Sequence, residues 1–272
     1  MKTRVVLCVV LAFLLSSCGS TARTGSHDPS ADPASTTSST PATDSDAVIL
    51  QVITLGGYTT PEWQVATVPT IVVLADGTVY VAGAVADIYP GPLLTPLTTG
   101  RLSPGQLREL ISRAKHDGLA GREPDYVVDE PSVTDMGTTE VTLDIDGATR
   151  RHQAYALGLG DERGPRKVLA DFVRFAEELA MPVASSNVEP SEVVVTSYRV
   201  RKGDSLDVKP TKQPWPVGAG SLKDGKCQLV DDPAAIAALV EGNQLSYFTS
   251  GGKTFQLGAR ISVPGDRGCP AE

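Results

Sequence analysis

The chain has 272 residues, of which 41% are hydrophobic and 21% charged, and its formal net charge is −8. An apolar content near the globular average excludes a wholly disordered chain, and no apolar run approaches the roughly 20 residues that a bilayer-spanning helix needs. We expect no nucleic-acid partner, because the acidic balance repels phosphate and the aromatic residues, at 5%, are too few for base stacking.

The first predicted element is an N-terminal signal sequence. Two basic residues precede an unbroken apolar run at 5–15, a length typical of a signal-peptide core. The following Leu15-Ser16-Ser17-Cys18 resembles a bacterial lipobox, in which the cysteine receives a diacylglyceryl thioether. The resemblance implies a signal peptide at 1–17 and acyl chains such as palmitate on Cys18. The alternatives are an ordinary secretory signal and an uncleaved anchor.

A tether is predicted next, at residues 18–47. This segment consists almost entirely of Gly, Ala, Ser, Thr, Pro and Asp and contains no large apolar residue. It cannot bury enough surface to offset the entropy lost on ordering, so we expect it to be disordered. Fully extended, it would reach ~100 Å from the membrane.

Residues 48–184 are predicted to form an α+β domain. Asp-Gly pairs between apolar runs favour hairpin turns, and Ser103 followed by Pro104 and Gln106 favours the start of a capped helix. The predicted elements are, in chain order, a buried strand at 47–53, a hairpin at Asp76-Gly77, a helix from Ser103 to Gly118, a hairpin at Asp146-Gly147 and a helix between Pro165 and Pro182.

Residues 190–272 are predicted to form a smaller α+β domain with one disulfide. Its elements are a strand at 192–200, a short helix from Asp232 to Glu241 and a hairpin at Gly251-Gly252. The whole chain therefore predicts an α+β fold with antiparallel hairpins, two longer amphipathic helices and one short helix, since no βαβ alternation is visible.

The disulfide prediction follows from counting cysteines. The first of the four is lost with the signal peptide and Cys18 takes lipid, which leaves Cys227 and Cys269 as a pair in an oxidising compartment. The alternative is a metal site, but the folded part offers only His116 and His152 as further imidazole ligands. We therefore expect a disulfide between Cys227 and Cys269 and no bound metal.

No motif in the sequence indicates a cofactor. The glycine-rich segment 158–164 has its third glycine one residue too late for a dinucleotide loop, and no parallel βαβ unit surrounds it. His152 is the one candidate general base, with Asp135 or Asp161 as an orienting carboxylate. The alternative for His152 is a structural or surface role, so we predict no catalytic residues.

Aromatic residues near Gly- and Pro-rich loops are weak candidates for ligand contact. Tyr58, Trp63 and Tyr89 stand in such segments, where rings give contact area at low entropic cost, and His152 is a further weak candidate. The alternative is that these rings serve core or loop packing.

Several short motifs resemble one group of proteins. The lipobox, Gly56-Gly57-Tyr58, Asp76-Gly77, Tyr89-Pro90-Gly91-Pro92 and the closing Gly268-Cys269 look like those of secreted lipoproteins from high-GC Gram-positive bacteria. That group has no established activity to carry over, so the resemblance implies a cellular address and no reaction.

These observations lead to one favoured function and two alternatives. We expect a lipoprotein anchored to the extracytoplasmic face of the cell membrane, where it acts as a non-catalytic binding module. Its candidate partners are the membrane, through the N-terminal lipid, and a cell-wall component or an envelope protein. The alternatives are an extracytoplasmic hydrolase that uses His152 and a structural accessory of an envelope complex.

Overall fold

The structure, a computed structural model, describes residues 45–126, 134–160, 162–201, 209–266 and 268–269. The predicted signal peptide, Cys18 and all but the last three residues of the predicted tether lie outside these residues. All described residues belong to one compact unit, Thr43–Glu272. No described helix is both long and apolar enough to cross a bilayer.

The predicted α+β fold class is wrong, because the protein is mostly β. Of the described residues, 35% lie in strands and 22% in helices, and the strands form two sheets. Several strands that the sequence does not indicate account for the difference. These are short, polar strands at or near sheet edges, where no buried face imposes an alternating apolar pattern.

Seven of the described strands form the larger sheet, in the spatial order β6-β5-β1-β2-β3-β4-β7, and each pair in it is antiparallel. Its strands are β1 (Val48–Gly56), β2 (Ile71–Leu74), β3 (Thr78–Ala82), β4 (Leu97–Arg101), β5 (Gly137–Ile145), β6 (Ala148–Tyr155) and β7 (Ser186–Asn187). The β2–β3 and β5–β6 hairpins turn at the predicted Asp-Gly pairs, where Asp146 and Gly147 both have positive φ.

Five described strands form the smaller sheet, in the order β10-β8-β12-β11-β9, and β9 runs parallel to β11. Its strands are β8 (Val193–Arg199), β9 (Thr211–Pro214), β10 (Lys226–Val230), β11 (Ser246–Ser250) and β12 (Lys253–Ile261). The β11–β12 hairpin turns at the predicted Gly251-Gly252 pair.

Two helices cover one face of the larger sheet. They are α2 (Pro104–His116), whose predicted capping box forms between Ser103 and Gln106, and α3 (Gly164–Ala180). On β2, Ile71 and Val73 join the core under these helices, whereas Val72 and Leu74 join a second core with the smaller sheet. Burial on both faces explains why β2 is apolar throughout.

The second core also receives α4 (Pro233–Val240), the predicted short helix. A helix that the sequence analysis did not predict, α1 (Pro61–Ala66), contacts β12 and β8 of the smaller sheet. The strand β7 lies between the two predicted domains, 48–184 and 190–272, and pairs with β4. The division into domains at 48–184 and 190–272 stays a prediction.

Candidate binding groove

A groove of about 440 Å³ lies where β1 and α1 meet the smaller sheet. Its volume falls within the ~300–1,000 Å³ typical of small-molecule sites. The apolar part of its wall consists of Ile53, Leu55, Pro61, Val65 and Pro69. These residues come from β1, from α1 and from the segment that joins α1 to β2, so the groove depends on the position of α1.

Local contacts hold α1 against the smaller sheet. The Thr60 side chain caps the helix by accepting from the Trp63 backbone N–H, and Pro61 occupies the first turn. Gly258 on β12 permits the close approach, since a Cβ there would lie 2.5 Å from the Glu62 carbonyl oxygen. The Arg260 Nη1 donates to the Val65 carbonyl oxygen at 3.0 Å, which satisfies one of the last carbonyls of the helix.

An ion pair supplies the charged part of the groove wall. The Arg260 Nε and Nη2 donate to the two Asp266 carboxylate oxygens at 3.0 and 2.7 Å, and Nη2 also donates to the Gly268 carbonyl oxygen. The two side chains are only 13% and 5% exposed. Because each charge faces its partner, the groove offers no net charge from its described lining residues.

The groove is also lined by five uncharged polar side chains: Gln51, Gln64, Thr67, Thr196 and Tyr198. Gln51 and Thr196 are 9% and 8% exposed. The Gln51 Nε2 donates to the Gly265 carbonyl oxygen at 3.3 Å. Neither the Gln51 Oε1 nor the Thr196 hydroxyl hydrogen-bonds to a described residue. Among the described residues the Trp215 Nε1 is the one fully buried side-chain polar atom without a partner, so these two atoms reach the surface of the groove. These two atoms are therefore available to a ligand.

Tyr198 stands at the α1 side of the groove. Its hydroxyl donates a long hydrogen bond to the Pro61 carbonyl oxygen, at 3.5 Å. Burial, followed by the negative charge of Glu62, raises the pKa of Tyr198 above its ordinary value. Tyr198 is therefore an uncharged hydroxyl at neutral pH.

The predicted disulfide between Cys227 and Cys269 is confirmed. It joins β10 to the end of the described chain across a sequence separation of 42 residues, with the two Cα atoms 5.4 Å apart. Cys227 and Gly268 both line the groove. The disulfide thus fastens the segment that carries Asp266 beside Arg260.

The His152 ring has no hydrogen bond to a described carboxylate. The fully buried ring donates from Nε2 to the Leu119 carbonyl oxygen at 2.8 Å. Its Nδ1 then accepts from the Tyr126 hydroxyl, also at 2.8 Å, because a neutral imidazole has one donor and one acceptor. Burial, followed by the charge of Glu123, raises the pKa of Tyr126 to about 12.

These contacts use both nitrogens of His152, so the imidazole is a structural crosslink beneath α2 and α3. Asp135, one of its two candidate partners, instead accepts from the Tyr58 backbone N–H through its carbonyl. Asp161, the other, lies outside the described residues. Tyr126, the actual partner, is 26 residues away in sequence and carries no motif that would have indicated it.

The aromatic candidates are on the surface. Tyr58, Trp63 and Tyr89 are each more than half exposed, and none of them lines the groove. Trp63 belongs to α1, of which Pro61, Gln64 and Val65 line the groove. A role for these three rings in ligand contact stays a prediction.

Two further features concern the described residues as a whole. They contain no group of three or more His, Cys, Asp or Glu side chains arranged to hold a metal ion. The buried Glu140 carboxylate is paired, since it accepts from Arg151 and from the Gln153 Nε2 at 2.9 Å.

Comparisons of the chain with protein-family models, with curated proteins and with solved structures each returned no match. What the protein binds is therefore inferred from its own residues.

Proposed function

We propose that the protein is a lipid-anchored, non-catalytic binding module of the cell envelope, and that it takes a small ligand in the groove. The observation that carries the binding role is the groove itself, with two unpartnered hydrogen-bonding atoms at its surface and a closed ion pair. A concave, largely apolar wall with a few polar atoms that lack hydrogen-bond partners is typical of small-molecule binding sites.

The chemistry of the lining supports binding over catalysis. The two charged lining residues, Arg260 and Asp266, neutralise each other, so neither is presented as a general acid or base. The hydrolase alternative was based on His152, and both of its nitrogens are used inside the fold. No specific observation favours the structural-accessory alternative.

A thermal-shift screen of the processed protein tests the binding role. The panel contains neutral saccharides, acylglycerols, short peptides and inorganic anions. A ligand that binds only the folded state raises Tm. We expect Gln64→Trp, which places a large ring at the exposed α1 side of the groove, to abolish the shift.

Ala237→Trp is the matched control, because it introduces the same ring at an exposed position of α4, outside the groove. It should leave the shift intact. If no compound class gives a shift that Gln64→Trp removes, the proposed binding role is wrong.

The cellular address rests on the lipobox and is compatible with the disulfide, which is typical of extracytoplasmic proteins. Mass spectrometry of the N-terminal peptide from producing cells tests it. We expect a peptide that begins at Cys18 and carries acyl chains, and a Cys18→Ser chain that is not acylated. An unmodified thiol at Cys18 in the wild-type protein would contradict the anchor.

A further inference from the structure

We propose that the groove recognises an uncharged N-acylated sugar, with the Gln51 Oε1 and the Thr196 hydroxyl as specificity-determining atoms. This inference rests on the proposed function and names the ligand class of the same site. The charge of the groove, its two unpartnered polar atoms and its apolar wall each restrict the ligand independently.

Charge restricts the ligand to uncharged molecules. An anion that approached the Arg260 guanidinium would meet the Asp266 carboxylate, whose two oxygens already bind it at 3.0 and 2.7 Å. A cation that approached Asp266 would meet Arg260. In a partly desolvated site, either ion would lose hydration without gaining an unpaired countercharge.

The unpartnered polar atoms of the groove favour a ligand that donates hydrogen bonds. The Gln51 amide group is oriented by its own Nε2, which donates to Gly265, so its Oε1 is left as an acceptor. The Thr196 hydroxyl can either donate or accept. An N–H on the ligand would satisfy the Gln51 oxygen, and a carbonyl or hydroxyl would satisfy Thr196.

The apolar wall favours a ligand that carries alkyl groups close to the N–H that would donate to Gln51. Ile53 lies two residues from Gln51 on β1, so the two side chains stand on the same face of the strand about 7 Å apart. Pro69 and Val65 complete this apolar surface. An acetamido group carries an N–H, a carbonyl and a methyl within one short unit, so it offers a partner to each of the three kinds of lining group.

The more exposed lining residues suit the rest of a sugar. Gln64 and Thr67 lie nearer the solvent, where hydroxyl groups retain partial hydration. Because sugar rings present both hydroxyls and C–H faces, they fit a wall that mixes neutral polar groups with Pro61 and Leu55. The geometry thus favours a short N-acylated saccharide over a purely apolar molecule.

Isothermal titration of the processed protein with three disaccharides tests this inference. The probes are N,N′-diacetylchitobiose, its de-acetylated diamine and cellobiose, which has hydroxyls in place of the acetamido groups. We expect the diacetyl sugar to bind at least about tenfold tighter than either of the others. Equal affinity for cellobiose, or tighter binding of the diamine, would overturn the inference.

Thr196→Val removes the hydroxyl with little change in shape, and we expect it to weaken binding of the diacetyl sugar by about three- to tenfold. Thr254→Val is the matched control, because Thr254 lies on β12 of the same sheet and does not line the groove. Gln51→Met serves as a second variant and should weaken binding similarly. Unchanged affinity in both groove variants would contradict the assigned roles.

The thermal-shift screen distinguishes a failure of this inference from a failure of the proposed binding role. If another compound class gives a shift that Gln64→Trp removes while the diacetyl sugar does not bind, this inference is wrong and the binding role stands. If no compound gives such a shift, both are wrong.

Discussion

Replacing Gly258 by alanine tests how the groove is built. The new Cβ would lie 2.5 Å from the Glu62 carbonyl oxygen, 2.9 Å from the Val65 Cβ and 3.0 Å from the Glu62 Cα. Two of these three distances are to the helix backbone, so a side-chain rotation cannot relieve the clash. The helix α1 must retreat from β12 by about 0.9 Å before the 2.5 Å approach to the Glu62 oxygen becomes an ordinary contact.

Overpacking of this kind typically lowers the free energy of unfolding by ~1–3 kcal/mol. The retreat also moves Pro61, Gln64 and Val65, which line the groove, so ligand affinity should fall together with stability. Urea denaturation followed by tryptophan fluorescence measures the first effect, because Trp63 lies on α1 itself. Titration with the groove ligand measures the second.

Gly105→Ala is the matched control for this substitution. Gly105 lies in the first turn of α2, and its added Cβ would meet only the Ser103 Oγ, at 3.8 Å. We expect stability there to be unchanged or raised by up to ~1 kcal/mol, since alanine is the better helix former. If Gly258→Ala is as stable as the wild type and binds ligand equally well, the account of α1 packing is wrong.

Three further perturbations have expected outcomes. Replacing both disulfide cysteines by alanine should cost ~4 kcal/mol in chemical denaturation, from the loop entropy of a 42-residue separation, and a cost below 1 kcal/mol would contradict this. Tyr126→Phe leaves the Nδ1 of buried His152 without a donor and should cost ~1–3 kcal/mol, whereas a neutral effect would refute the crosslink. With the pKa of Tyr126 raised to about 12 by burial and Glu123, its contribution is full below pH ~10 and is lost as the pH rises through 12, measurable by phenolate absorbance and stability together. Asp266→Asn leaves the Arg260 charge uncompensated; it should cost ~3–5 kcal/mol and give the groove a measurable affinity for inorganic anions, and an unchanged anion response would contradict the closed ion pair.

The sequence could predict those parts of the fold that are encoded locally. The Asp146-Gly147 turn requires positive φ at both positions, and the α2 cap requires a serine three residues before a glutamine. Both signals lie within four residues, so they can be recognised without knowledge of the rest of the fold. The Cys227–Cys269 pair was predictable for a different reason, since counting left no other partner.

The mostly β character could not be predicted in the same way. β4 reads Leu-Thr-Thr-Gly-Arg and β9 reads Thr-Lys-Gln-Pro, and neither contains an alternating apolar pattern. These segments become strands because a neighbouring strand supplies hydrogen bonds, which is tertiary information. The helices α2 and α3, by contrast, carry strong amphipathic patterns, so the prediction from sequence gave helices too much weight.

The groove was beyond sequence reasoning because its parts are distant in the chain. Gln51 meets Gly265 across 214 residues, and Arg260 meets Val65 across 195 residues. Nothing local distinguishes these residues from ordinary polar surface residues. The aromatic candidates were predicted from residue type and loop position. Neither property predicts which side chains lie together in the folded protein.

Hydrogen–deuterium exchange tests the central claim, that the groove is the ligand site, most directly. The processed protein is compared with and without the panel compound that raises its Tm. We predict slower exchange confined to β1, α1, β8 and the segment around Asp266. Protection centred instead on the loop that carries Tyr89, with none in β1 or α1, would contradict the claim.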